Sequence, residues 1–379
     1  MRIIHLSDLH LGKRISDYPM DRDQEYILKE ILEIIKDEKA DAVVIAGDIY
    51  DKGIPPEKAV AIFDKFLTQL MKRNVPTLVI TGNHDSAERV SFGNKIMEAS
   101  NIYLSSVYDG NVKVVKLEDK YGPINFYLLP FIKPIDVKTF YKDEEINDYT
   151  DAMRVAISHM DINTMERNVL VCHQFVTGAK VGGSEEAITV GTLDNIDASV
   201  FDDFDYVALG HIHGPQNVGG DPRICYCGTP LKYSFSETKH KKGVKIVDFF
   251  EKGKTEHKYV PLIPLHDMRE IKGTFAELID EKNWKGTNID DYVHITLTDE
   301  EDIINGQPRL QSIYKNLMKF DYDNTRTRNE NSLEDYQSSI GMNPKELVAN
   351  FFKYRNDRDM NEEEKQYMDS IIDDIWEGK

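Results

Sequence analysis

The sequence predicts an α/β protein in which two β-sheets pack face to face as a sandwich flanked by helices. A small α+β segment and a helical tail follow. Three observations carry this reading: the first 90 residues alternate apolar runs with helical periodicity, the middle of the chain turns to hairpin and buried-strand patterns, and polar motifs sit where the strands run out.

Ile3 to Leu6 is the first strand. Ile27, Leu28, Ile31, Leu32 and Ile35 recur at helical spacing, so one face of that helix is buried. Ala42 to Ala46 is a continuous apolar run, as expected of a parallel strand covered on both faces. Pro55 and Pro56 open a second helix, where a missing N–H costs nothing, and its stripe is Val60, Phe63, Phe66, Leu67 and Leu70. Thr77 to Ile80 completes a β-α-β-α-β run, which implies a parallel sheet with right-handed crossovers. Val112 to Leu117 and Ile124 to Leu129 flank a Lys120-Tyr121-Gly122-Pro123 turn and read as a hairpin. Val169 to Cys172, Tyr206 to Leu209, Ile224 to Cys227, Val244 to Phe249 and His257 to Leu262 are further strands. Pro261 and Pro264 bracket a boundary, which divides the chain into a domain over 1–265, a small capping or DNA-binding segment over 266–320 with a strand at Tyr292 to Leu297, a polar linker over 321–342 and a helical tail over 343–379. In the tail, Asn343 is an N-cap before Pro344, and Leu347, Val348, Phe351 and Phe352 share one face. A second tail helix starts at Asn361 with Glu364 three residues on, and its stripe is Met368, Ile371, Ile372, Ile375 and Trp376.

Composition narrows the function classes. With 379 residues, 40% hydrophobic and 30% charged, the chain has material for a core in two or three domains and is not a disordered chain. Its 47 basic and 66 acidic residues leave a net charge of −19, so it cannot hold a polyanion through its overall field. A nucleic acid would need a local basic strip, metal ions or a partner. Cys172, Cys225 and Cys227 form no disulfide framework and fit a reducing compartment. No apolar run is long enough for a membrane span and no secretory pattern opens the chain, so a cytoplasmic protein is expected.

Five motifs carry the chemistry. Asp8-Leu9-His10 follows the first strand, Gly47-Asp48-Ile49-Tyr50-Asp51 the second and Gly82-Asn83-His84-Asp85 the third. His173 follows the strand ending at Cys172, and Gly210-His211-Ile212-His213 follows the one ending at Leu209. Ligand sites in α/β sheets lie beyond the carboxyl ends of the strands. Asp8 with His10, and His211 with His213, are two apart, so in extended backbone both members of each pair point to one side. The candidate metal ligands are therefore Asp8, His10, Asp48, Asn83, His173, His211 and His213. Seven donors exceed one tetrahedral ion but suit two divalent ions sharing Asp48, and a set of imidazole, carboxylate and amide without thiolate favours manganese, iron or zinc. Cys172 points away from its neighbour His173 and is not counted.

The ordered set D-x-H, G-D-x-x-D, G-N-H-D, a lone His and G-H-x-H resembles the calcineurin-like metallophosphoesterase superfamily, whose fold is the two-sheet sandwich expected above. Arg89-Val90-Ser91-Phe92, His173-Gln174-Phe175-Val176, Gly210 to Gln216 and Tyr226 to Ser234 narrow the resemblance to the SbcD-type nuclease subunits of DNA repair complexes. That resemblance implies two ions, manganese first among candidates, one held by Asp8, His10, Asp48 and His213 and the other by Asp48, Asn83, His173 and His211. It implies hydrolysis of DNA by a metal-activated water, as a double-strand exonuclease and a hairpin or single-strand endonuclease that leaves a free 3′-hydroxyl. His84 is then assigned to the leaving oxygen as proton or hydrogen-bond donor, oriented by Asp85 or Asp51. The same resemblance implies an SbcC-type SMC-like ATPase partner gripped by the C-terminal helices, and a nucleoid-associated location. A homodimer face is open over residues 56–73 and 86–100. Lys232, Lys239, Lys241, Lys242 and Lys245 form a basic strip in an acidic chain, either a solvated hairpin or a set of contacts to DNA phosphates, with Arg89 and Lys95 as weaker candidates for the same contacts. The core motifs alone leave open another metallophosphoesterase activity, on nucleotides or phosphoproteins.

Overall fold

The computed structural model describes residues 1–105, 107–180, 195–325, 327, 344–356 and 358–376. Two compact units divide the chain, Met1–Asp267 and Met268–Lys379.

The first unit holds two six-stranded sheets. One runs in the order Thr255–Pro261, Gly243–Phe249, Arg2–Leu6, Ala42–Ala46, Thr77–Ile80, Ile102–Leu104. Its last four strands are parallel, and Gly243–Phe249 joins Arg2–Leu6 antiparallel. The other runs Gln216–Asn217, Ile224–Tyr226, Tyr206–Gly210, Arg167–His173, Gly122–Leu128, Lys113–Asp119, with a parallel centre and an antiparallel strand at each edge.

Facing residues of both sheets make one core: Ile3, Val44, Ala46, Leu78 and Ile80 from the first, with Phe126, Val169, Val171, Tyr206 and Ala208 from the second. All five residues of Ala42–Ala46 are buried, which requires cover on both faces. The buried stripes of helices Asp21–Asp37 and Glu57–Lys72 supply the outer cover, through Ile27, Ile31, Ile35, Phe63, Phe66 and Leu70. On the far side, Leu170, Cys172, Val207 and Leu209 pack with helix Tyr149–Ser158 through Met153 and Ala156.

The hairpin is tighter than the expected four-residue turn. Asp119 pairs with Gly122 and leaves a two-residue loop, Lys120 and Tyr121, so Pro123 lies inside the strand opposite Glu118. The Asp119 carboxylate accepts the Tyr121 N–H at 2.8 Å and closes the turn locally.

The second unit has a three-stranded parallel sheet, Met268–Gly273, Tyr292–Leu297 and Leu317–Tyr322, whose last strand runs into the stretch expected as linker. Phe275, Leu278, Val293, Ile295 and Leu310 form its core. Helices Pro344–Asn356 and Glu362–Trp376 close the chain. Most of the expected linker, the Asn343 cap and the side chains of Ile375 and Trp376 lie outside the described residues.

Candidate metal centre

Parallel strands end together, so the carboxyl ends of three strands of one sheet and two of the other form one rim. The backbone there is unusual. Asp8, His10, Asp48 and His211 have φ of 52°, 44°, 49° and 103°. A non-glycine residue in such a region costs of order 1–3 kcal/mol and persists only where its surroundings enforce it.

The enforcing contacts are visible. Asp8 N–H donates to the Gly47 carbonyl and His10 N–H to the Asp48 carbonyl, both at 3.0 Å, which latches the first motif to the second. Buried Gln24 donates to the His10 carbonyl at 2.7 Å, and the Tyr233 hydroxyl donates to the Leu9 carbonyl. The Asp85 carboxylate accepts the N–H groups of Ile49, Tyr50 and Gly82 at 3.1, 2.9 and 2.9 Å. Two glycines make the approach of strand ends possible. A Cβ on Gly82 would lie 2.1 Å from Asp48 Oδ1, and one on Gly210 would lie 1.9 Å from the Ala46 carbonyl oxygen.

The seven candidate ligands converge. Donor atoms of Asp8, His10 and His213 lie within 4.8 Å of one another, and so do those of Asp8, Asp48 and His173. His10 Nε2 is 3.2 Å from His213 Nε2. His173 Nε2 is 3.2 Å from Asp48 Oδ2 and 3.0 Å from Asn83 Oδ1, which is itself 3.1 Å from His211 Nδ1. Asp48 thus stands between a group with His10 and a group with His173 and Asn83. His84 falls in the same reach, grouped with His10 and Asp48.

The donor chemistry fits cations. His173 Nδ1 donates to the Ala46 carbonyl at 2.8 Å, so in the neutral ring Nε2 presents its lone pair to the site. His213 Nδ1 faces the Glu237 carboxylate at 3.1 Å, which turns the Nε2 lone pair inward as well. Lone pairs and carboxylates therefore face one another in a buried space, and only protons or cations relieve that. Protons show the same demand. Burial alone would lower the His173 pKa, yet the Asp48 carboxylate holds it up at about 9. Burial raises Asp8 to about 6 and, with a neighbouring imidazolium, lowers His211 to about 3. A bound cation would take the place of those protons as counter-charge.

A family model described as Calcineurin-like phosphoesterase matches residues 1–215, and one described as Type 5 capsule protein repressor C-terminal domain matches residues 264–356. Two relatives, each named as the D component of the nuclease SbcCD, match nearly end to end. That of Staphylococcus epidermidis is 30% identical, covering 96% of this chain and 95% of the relative, and that of Staphylococcus saprophyticus is 34% identical, covering 87% and 88%. The chain belongs to the calcineurin-like phosphoesterases, in the SbcD family. Among solved structures, a dimetal phosphatase from Danio rerio is 11% identical, covers 70% of this chain and 98% of that one, and has a TM-score of 0.41.

Around this phosphoesterase centre the structure changes several expectations. Neither Asp51 nor Asp85 orients the His84 ring through its carboxylate. His84 Nδ1 donates to the Asp51 backbone carbonyl at 3.0 Å. The Asp51 carboxylate instead pairs with Lys13 at 2.7 Å and sits 3.8 Å from His10 Nδ1, while Asp85 is consumed by its three backbone donors. Lys242 is no DNA contact. It is buried, and its ammonium binds Glu237 at 2.5 Å, the Thr229 hydroxyl at 2.6 Å and the His213 carbonyl at 2.9 Å. Lys232 is likewise turned inward, to Asp267 at 2.7 Å and the Thr238 carbonyl at 2.9 Å. Arg89, Lys239 and Lys241 remain exposed.

Glu237 is the residue sequence reasoning missed. It is fully buried, held below the usual carboxylate range because His213 and Lys242 outweigh the cost of burial, and it fixes the ring of a candidate ligand. Its only sequence signal, Ser234-x-x-Glu237, reads as a helix cap. Finding it requires knowing that this turn folds back beneath His213.

Proposed function

We propose that the chain is the nuclease subunit of an SbcCD-type DNA repair complex, hydrolysing DNA phosphodiesters as a double-strand exonuclease and a hairpin or single-strand endonuclease. The convergence of seven nitrogen and oxygen donors on one rim carries this reading, together with the near full-length relatives named for that nuclease. When bound, two divalent cations, manganese in our reading, supply charge to the phosphate oxygens and lower the pKa of coordinated water. Asp8, His10, Asp48 and His213 would hold one, and Asp48, Asn83, His173 and His211 the other.

His84 manages the leaving oxygen. The Asp51 carbonyl can only accept, so His84 Nδ1 carries a proton in every state. Its Nε2 therefore bears a proton only when the ring is cationic. Giving that proton to the 3′ oxygen returns a neutral ring without breaking the Asp51 contact. His84→Ala should lower manganese-dependent cleavage of duplex and hairpin DNA by roughly 10²–10⁴-fold. Metal stoichiometry by elemental analysis should stay at two. Near-wild-type turnover with both ions bound would refute the role, and loss of an ion would make His84 a ligand instead.

The remaining parts fit the same reading. The unit carrying residues 266–320 contributes to DNA binding, and the C-terminal helices grip an SbcC-type SMC-like ATPase, which brings the positive field this chain lacks. Phe92 and Ile96 stand 83% and 79% exposed past the third motif, as a homodimer face would. A nuclease acting on chromosomal DNA would be cytoplasmic and nucleoid-associated, and no described helix is long and apolar enough to cross a membrane.

A further inference from the structure

A cavity of about 700 Å³ opens at the edge of the sandwich, where Gly243–Phe249 and Thr255–Pro261 of one sheet meet Gln216–Asn217 and Ile224–Tyr226 of the other. Its wall is Cys225, Tyr226 and Tyr259, and its cations are Lys180, Lys241 and Lys245, with His240 beside them. Among the described residues no carboxylate lines it, in a chain with 66 acidic residues against 47 basic ones.

Lys245 is the informative residue. It pairs across the sheet with His5 and Tyr259 and shares a face with Val247 and Phe249, which belong to the core between the sheets. An ammonium at an inward-facing sheet position loses hydration unless its stem can carry it to an opening or a partner. The cavity is that opening. Among the described residues, Lys180, Lys241 and Lys245 have no carboxylate partner.

The cavity is also tied to the metal centre by the chain. Gly214, Pro215 and Gln216 follow His213 directly and line it. A Cβ on Gly214 would come within 3.3 Å of the His240 ring, so the glycine lets His240 sit against the segment leaving the candidate ligand. The Gln216 side chain holds the Lys180 backbone from both sides, accepting its N–H and donating to its carbonyl, each at 2.8 Å.

We infer that this cavity is a phosphate subsite for the substrate strand, taking a phosphodiester that flanks the one being cut, with the Tyr259 side open to its sugar or base. The inference rests on the nuclease reading and adds to it a specific place for the strand.

The test uses the full chain loaded with manganese and two substrates: a single-stranded oligonucleotide and bis-p-nitrophenyl phosphate, which has no flanking phosphate. The variant is Lys180→Gln with Lys245→Gln, beside the charge-keeping Lys180→Arg with Lys245→Arg. The ratio of oligonucleotide KM to small-diester KM should rise about tenfold in the Gln pair, and the salt slope on the oligonucleotide should fall by roughly 0.7 for each lysine. The Arg pair should keep both near wild type. Wild-type ratio and slope in the Gln pair would overturn the subsite. So would an unchanged ratio with altered inhibition by added dAMP, which would give the cavity to a free mononucleotide. An equal rise in KM for both substrates would mean a disturbed metal centre and would also overturn it. If the wild type cleaves the small diester but no oligonucleotide, the nuclease reading itself fails, a result distinct from any of these.

Discussion

Glu237 shows how one side chain can set the geometry of a site it does not enter. Its carboxylate faces His213 Nδ1 at 3.1 Å and Lys242 at 2.5 Å, with no exposure to solvent. An acid in that position fixes the imidazole tautomer and ring plane and makes the inward nitrogen a better donor. Lys242 in turn keeps the buried carboxylate ionised. Glu237→Gln keeps the shape but removes the charge, and it leaves the Lys242 ammonium buried against a neutral amide. We expect manganese affinity to drop by roughly 10–100-fold at the ion held by His213, with the second ion less affected. Isothermal titration of the metal-stripped protein checks this. Two unchanged binding steps would show that Glu237 serves stability alone.

At the scale of elements, the site exists because strand ends of two sheets are pressed together more closely than side chains permit. Gly82 stands where the third strand of one sheet meets Asp48, and its absent Cβ leaves room for the Asp48 carboxylate to turn toward His173. Gly82→Ala places a carbon 2.1 Å from Asp48 Oδ1, so the carboxylate or the loop must move. The expected result is a folded protein by circular dichroism with phosphodiester hydrolysis reduced more than a hundredfold, since a displacement of about 1 Å costs that much. Full activity would mean that Asp48 tolerates the shift. The elements themselves were legible in the sequence where a single rule governed them. The run Ala42–Ala46 announced a doubly covered strand, and the stripes of the first two helices gave their buried faces. Polar residues just past such strands announced the rim, and all seven candidate ligands lie there. Contacts made at long range left no such trace. Lys242 and Lys232 looked like surface cations because nothing local says that Glu237 and Asp267 will receive them. The Asp51 carbonyl, not its carboxylate, holds His84, a choice made by the left-handed turn at Asp48 and the Asp85 clamp.

At the scale of the whole molecule, the proposed function has a chain of net charge −19 work on a polyanion, and a partner resolves that mismatch more fully than one basic cavity. In the function proposed above, the second unit carries the surface for it. In helix Pro344–Asn356, Leu347 and Phe351 are four residues apart, share one face, and are 37% and 49% exposed, whereas Ile372 of the following helix is buried. The two helices contact each other, and an ion pair between Arg358 and Glu364 at 2.6 Å ties their junction. The pair is thus internally braced while it leaves one apolar strip uncovered, the arrangement of a helix that docks into a partner's groove. Two such anchors contribute of order 2 kcal/mol each when buried in an interface. Leu347→Asp with Phe351→Asp should therefore weaken assembly with the SbcC-type ATPase by more than a hundredfold, enough to abolish co-purification. Hydrolysis of a small phosphodiester should continue, because the metal centre is built wholly within Met1–Asp267. ATP-stimulated cleavage of duplex ends should vanish with the partner. A variant that still elutes with the ATPase would place the docking surface elsewhere, and one that loses small-diester hydrolysis would show that this helix supports the nuclease domain.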